Sequence, residues 1–558
     1  MIISLAVVMF ISLFFMVNKY NLKIDKIAKI IYASVGLFVV LSILSLYTSD
    51  YKHVALWGAP ERHEGLVMHM CYITMFLYTY FIMRSSEDFK YIKYALIFLS
   101  LIMIIIGISQ VINKDILTSD FIYNLTTPDK YKDIVKPVST NGLVYLTLMN
   151  PNYVGSYASL IIPFFSVIAL SNHENKMLRT IMGVIVVATS LILVKANSQA
   201  GLVGVSLGIL AVIAVNFKII FKSRKLLIGT IVFAVAATGI ANTVSQGLLI
   251  HNTVDIILDA KTLFANKDSY VYDPTYGLPV YDVKTDGNEA RIETVDGQLN
   301  LDFKDDATIV IKDSKGNLVE NKYNSEEKNY TLSAPYDKMK ILKSSQSNSS
   351  YAQIALYYNE FTYYLLEWVK GDGIYLIDAQ ANRFELEVAP HIGFEGSEKV
   401  GSMRGYIWSR TLPLIAKKPL LGYGPDNFLM AFPQYDIVAK TYAYDTPFMI
   451  VDKPHNIYLL YVVNSGIIAL GAMLVLWGVY IIKSFKLYAL RKEYTKGEYY
   501  GIACTVAITG YLAAGFFNDS VPVVAPIFWV LLGAGYALNY INSRDRMSVL
   551  SVKSCKGL

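Results

Sequence analysis

Cysteine is nearly absent from this chain: Cys71, Cys504 and Cys555 are the only three in 558 residues. The long polar middle of the sequence has none, which excludes a disulfide framework and a thiolate zinc site there. Histidine is also sparse. Of His53, His63, His69, His173, His251, His391 and His455, no two stand at a paired metal-ligand spacing such as HxxxH. There is no Walker loop, dinucleotide fingerprint or nucleophile elbow, so nucleotide-driven chemistry is not indicated. Charged residues make up only 17% of the chain, and its formal net charge of +6 is spread over short loops. That distribution offers no basic patch for nucleic acid.

What the chain does have is apolar length. Hydrophobic residues account for 54%, in runs that read as transmembrane helices rather than one large soluble core. The expected fold is a mainly α polytopic membrane protein with about 11 spans. They fall near 2–18, 28–47, 65–83, 93–112, 152–170, 178–196, 200–217, 226–244, 456–482, 500–517 and 524–541. The first run has no basic leader and no small-residue cleavage site, so it counts as a span. Lysine and arginine crowd alternate connections, as in Lys19–Lys29, Lys218–Lys225, Lys483–Lys496 and the tail. By the positive-inside rule the N-terminus is outside and the C-terminus inside. The segment from about 245 to 455 is then extracytoplasmic.

Four parts follow. Residues 1–244 form a membrane bundle of about eight spans. Residues 245–400 are an external loop with a small β-rich insertion, and 401–455 an amphipathic, catalytic external segment. Residues 456–558 add three spans and a cytoplasmic tail. Within the insertion, RIETVDGQLNLDF, QIALYYNEFTYYLLEW and neighbouring stretches alternate apolar and polar residues between Asp-Gly and Gly-Asp-Gly turns. That pattern predicts antiparallel hairpins that close as a sandwich. Its many tyrosines suit cross-strand packing or, alternatively, stacking on sugar rings. No internal repeat is evident, which argues against a two-halved transporter.

The most informative stretch runs from Arg404 to Gly466. SMRGYIWSRTLPLIAKKP predicts an amphipathic helix on the membrane surface, ended by Pro419. Its Arg404 and Arg410 could grip phosphate, since a guanidinium fork binds phosphate oxygens bidentately; interfacial anchoring is the alternative. His455 then stands at the start of an apolar span, where an ionisable group is costly unless used or satisfied. Asp426, Asp436, Asp445 and Asp452 precede it and are candidates to orient it; Asp452 is nearest in sequence.

Several segments carry a resemblance to a known family. They are WGAPERHEG at 57–65, NPNYVGSY at 150–157, NSQAG at 197–201, the R-x-x-x-W of Arg404 and Trp408, KPLLGYGPDNF at 418–428 and the His455–Asn456 pair. In order and placement they resemble the O-antigen ligase and O-antigen polymerase superfamily of bacterial membrane enzymes. The resemblance covers most of the membrane part but not the β insertion.

It implies metal-independent, cofactor-free glycosyl transfer on the outer face of the cytoplasmic membrane. The donor is a glycan on a polyprenyl diphosphate, and the acceptor a hydroxyl of a glycan, lipid or protein. Among membrane lipids, such an enzyme uses His455 to activate or orient the acceptor and Arg404 toward the diphosphate, with Arg410 and Asp452 as further contacts. One departure matters. Where relatives often carry arginine in the NSQAG turn, this chain has Gln199. Lys195, read as one turn below on the same helix, or Arg62 of the ERHEG loop could supply the missing charge. A flippase for the same lipid-linked glycan and a glycan-binding receptor are the rival classes.

Overall fold

The computed structural model describes residues 1–19, 26–60, 62–132, 142–222, 239, 242–243, 247–264, 273, 275–378 and 381–556. The expected span 226–244 lies almost wholly outside the described residues. The chain divides into two compact units. One comprises Met1–Leu258, Lys418–Met430 and His455–Leu558; the other Asp259–Lys417 and Ala431–Pro454.

The first unit is helical. Six of its helices among the described residues are long and apolar enough to cross a membrane: Lys26–Thr48, Ser86–Val111, Pro151–Leu170, Lys176–Lys195, Gln199–Ile220 and Ile467–Tyr488. Ile2–Met16 and Leu66–Ile82 are shorter apolar helices, and Lys496–Ala514 and Ala525–Lys556 complete the C-terminal part. The expected span 456–482 is not continuous. It breaks into Ile457–Ser465 and Ile467–Tyr488 at Gly466, whose φ of +87° suits glycine. A Cβ there would stand 1.9 Å from the Leu420 carbonyl oxygen.

Close helix contact in the first unit rests on small residues. A Cβ on Gly155 would meet Ser198 Oγ at 2.1 Å and Gly201 Cα at 2.8 Å, so Pro151–Leu170 and Gln199–Lys222 touch backbone to backbone. Membrane helices gain packing this way because lipid offers no hydrophobic drive between them. Gly155→Leu should therefore cost about 1–3 kcal/mol or more through overpacking. A lower unfolding midpoint in detergent is the expected result.

The second unit holds the β region. Four strands from Val280–Asp286 to Ile309–Asp313 form one antiparallel meander. Seven more, from Asn321–Asn324 to Arg383–Phe384, form another. Alternation sets the faces: along Tyr351–Tyr358, every second residue, beginning with Ala352, is buried. Ile292, Leu301 and Ile311 of the first sheet share one apolar core with Ile341, Ile354 and Leu366 of the second. Phe303 and Trp368 stack across it, ring centroids 5.8 Å apart. Helices Val400–Lys417 and Ile437–Tyr444 belong to the same unit.

Candidate active site

Within the first unit, four polar segments distant in sequence are tied together by hydrogen bonds around the turn that precedes helix Ile457–Ser465. Asn456 caps this helix, its Oδ1 accepting from the amides of Tyr458 and Leu459. The cap fixes the residue before it. His455 sits in the left-handed region, φ +48°, with its ring one-third exposed. Its Nδ1 lies 2.6 Å from Asp519 Oδ2, a carboxylate with no exposed surface. A carboxylate at Nδ1 selects the tautomer protonated there and leaves the Nε2 lone pair at the opposite edge of the ring. The arrangement can accept a proton from a hydroxyl at Nε2 and stabilise the imidazolium that results.

Asp519 is held by its neighbours. Asn518 donates from Nδ2 to the Asn152 carbonyl and to Ser156 Oγ, both at 2.7 Å, which anchors the turn to the NPNYVGS segment. Asn150 caps that helix by accepting from the Asn152 amide. Ser520 donates to Glu64 Oε1 at 2.6 Å, which brings in the ERHEG loop. That loop is pinned in turn by Asp426 of the GPDN stretch, whose Oδ2 accepts from the amides of Ala59 and Glu64. Arg62 donates from Nη1 to Tyr153 Oη at 3.0 Å. The NSQAG turn packs on the same helix through Ser198 and Gly201 against Gly155.

Two expectations for this unit are corrected. The carboxylate on the His455 ring is Asp519, where Asp452, which belongs to the other unit, was expected. Lys195 and Gln199 do not share a helix face. Lys195 ends one helix and Gln199 begins the next, because Asn197 turns the chain with φ +56°. Sequence reasoning missed Asp519. Its signal was Asn518-Asp519-Ser520, a polar triplet directly after an apolar run.

Arg404 and Arg410 lie in the second unit, and their surroundings correct the expected surface helix. Arg404, Tyr406, Ile407, Arg410 and Thr411 are all buried, so this helix does not lay a charged face on lipid. Regular turns begin only at Arg404, after left-handed Gly401, Ser402 and Met403. Arg404 donates from Nη1 to the Gly401 carbonyl across that turn. Trp408 donates from its indole to the carbonyl of Pro454, at 2.8 Å.

Arg410, 1% exposed, is committed to the protein. Nε donates to Asp436 Oδ2 at 2.8 Å, Nη1 to Ser409 Oγ and Nη2 to Tyr276 Oη, each at 3.0 Å. Burial pulls its pKa down, but Asp436 and Tyr276 outweigh that and raise it. Lys440, which donates to the Gln434 carbonyl, goes the other way. Burial lowers its pKa to about 8, partly offset by Asp436 and Asp378. Folding therefore costs Lys440 most while it is charged in both states, below about pH 8. As the folded form gives up its proton while the unfolded form, near pKa 10.4, keeps one, stability rises by up to about 3 kcal/mol from pH 8 to 10.4. Lys440→Met should flatten the difference between unfolding midpoints at pH 7.5 and 9.5.

Among the described residues no three His, Cys, Asp or Glu side chains are grouped to hold a metal ion.

Residues 354–474 match the family model for O-antigen ligase. Over that segment, about a fifth of the chain, the protein is similar to the O-antigen ligase superfamily. The match takes in Arg404, Trp408, the KPLLGYGPDNF stretch and His455. It also reaches into the last strands of the β region, further than the resemblance implied, and leaves the N-terminal segments outside. The long apolar helices and this match together point to a multi-pass membrane protein. Neither curated proteins nor solved structures give a match.

Proposed function

We propose that the protein is a membrane glycosyltransferase that ligates or polymerises polyprenyl-diphosphate-linked surface polysaccharide. In this reading it acts at the extracytoplasmic face of the cytoplasmic membrane, in an eleven-span topology with the N-terminus outside. The observation that carries it is the contact of His455 Nδ1 with buried Asp519 at 2.6 Å. It leaves a proton acceptor on a partly exposed ring.

In the proposed reaction the acceptor hydroxyl passes its proton to His455 Nε2 while its oxygen bonds to the sugar C1. The C1–O bond to phosphate breaks, and its electron pair leaves on the carrier diphosphate. Asp519 stabilises the imidazolium until the proton is lost to solvent. Developing negative charge on the diphosphate calls for cations. Arg404 is the proposed one, on residue type and family position. Arg62 and Lys195, with Gln199 as a neutral hydrogen-bonding partner, are proposed as further substrate contacts.

The test is purified protein supplied with lipid-linked glycan and acceptor. A new glycosidic bond together with released carrier diphosphate supports the reading. Movement of the intact lipid-linked glycan across the bilayer without bond formation overturns it in favour of a flippase. In a deletion strain, glycan shortened to single repeat units indicates a polymerase, and full-length glycan left on its carrier indicates a ligase. Loss of sugar from protein hydroxyls alone indicates transfer to protein.

A further inference from the structure

The ERHEG loop carries a carboxylate that the proposed chemistry does not use. Glu64 is only 2% exposed, and burying a carboxylate costs several kcal/mol unless its partners repay it. Its Oε1 accepts from two neutral hydroxyls, Ser520 at 2.6 Å and Tyr72 at 3.1 Å. Asp426 holds the loop through the backbone amides of Ala59 and Glu64. The side chain instead reaches across to the residue that follows Asp519.

We propose that Glu64 is a positioning residue for the His455–Asp519 pair, fixing the Asn518–Ser520 turn through Ser520. The turn then has two supports on either side of Asp519. Asn518 is anchored to Asn152 and Ser156, and Ser520 to Glu64. With both in place, Asp519 has little freedom to swing from the imidazole. Releasing one lets the carboxylate move by the fraction of an ångström that separates a productive geometry from an unproductive one.

The experiment uses the full-length protein in detergent with Glu64→Gln, Ser520→Ala and Asp519→Asn, alone and combined. Its kinetic arm rests on the transferase reading above. Ser520→Ala removes the link and keeps the carboxylate, so it guards against a Glu64 variant that does not fold. Each of the first two should lower kcat about tenfold to a hundredfold, with little change in KM for the donor. In the Asp519→Asn background neither should lower it further, because residues acting through one group are not additive. Additive losses, or unchanged kcat per folded protein, overturn the proposal.

A second arm does not depend on any activity. Carbethoxylation of His455, followed on its own peptide by mass spectrometry, should slow several-fold in both variants as Asp519 ceases to polarise the ring. Exposed His53 serves as the internal reference. Equal His455 rates in wild type and both variants overturn the positioning role. If wild type forms no glycosidic bond yet these rates fall, the transferase reading fails and the positioning role stands.

Discussion

His455→Asn lowers glycosyl transfer by about 10²–10⁴-fold, the range set by loss of a positioned general base, while the protein remains folded and inserted. Asparagine is the cleaner replacement here for a backbone reason. His455 has φ +48°, a conformation that asparagine tolerates and alanine adopts at a cost of roughly 1–2 kcal/mol. His455→Ala should lose activity equally but carry that additional strain beside the Asn456 cap. The pair of variants thus separates chemistry from folding: similar activity per folded molecule, different unfolding midpoints. Because the imidazole acts on the acceptor, the loss should appear in kcat with donor KM nearly unchanged. Undiminished transfer in both variants would remove His455 from the mechanism and with it the main support for a base-assisted reaction.

Asp519→Asn offers the matching control. The amide keeps the shape and can still bond Nδ1, but it no longer stabilises an imidazolium and can present the wrong atom to the ring. A loss comparable to that in His455→Asn is expected. The combined variant should be no worse than either alone.

How far the sequence disclosed this arrangement differs from residue to residue. The apolar runs and the hairpin alternation are local patterns, and most described helices and strands follow them, while the expected span 456–482 breaks at Gly466. His455 was legible for the same reason, an ionisable side chain beside an apolar run. Its partner was not, because Asp519 is 64 residues further along and no periodicity links two loops that close only when helices pack. Glu64 and Asp426 meet across a larger separation still. The division of Lys195 from Gln199 turned on one left-handed residue, Asn197, inside a run whose composition suits a continuous helix. The fate of Arg410 was hidden differently. Its spacing along the helix is compatible with an outward or an inward face, and only Asp436 decides which one is stable.

That decision sets the second large effect. Arg410→Met should destabilise the protein by about 3–5 kcal/mol, the usual cost of leaving one member of a buried ion pair without the other. Asp436 is 2% exposed and would lose its guanidinium partner, while the Nζ of nearby Lys440 is already held by the Gln434 carbonyl. Replacing both partners, Arg410→Met with Asp436→Leu, should recover much of the loss, since an apolar pair of similar volume carries no desolvation cost. Unfolding midpoints in detergent, with proteolysis mapped to 259–417, read this directly. The double variant also decides between structure and substrate binding. If Arg410 serves only the fold, the recovered protein transfers glycan with the wild-type donor KM. If its guanidinium also grips diphosphate, the recovered protein folds while its donor KM rises about tenfold or more, as expected for loss of a charge-assisted hydrogen bond worth 1.5–3 kcal/mol. The three donors already spent on Asp436, Ser409 and Tyr276 favour the first outcome.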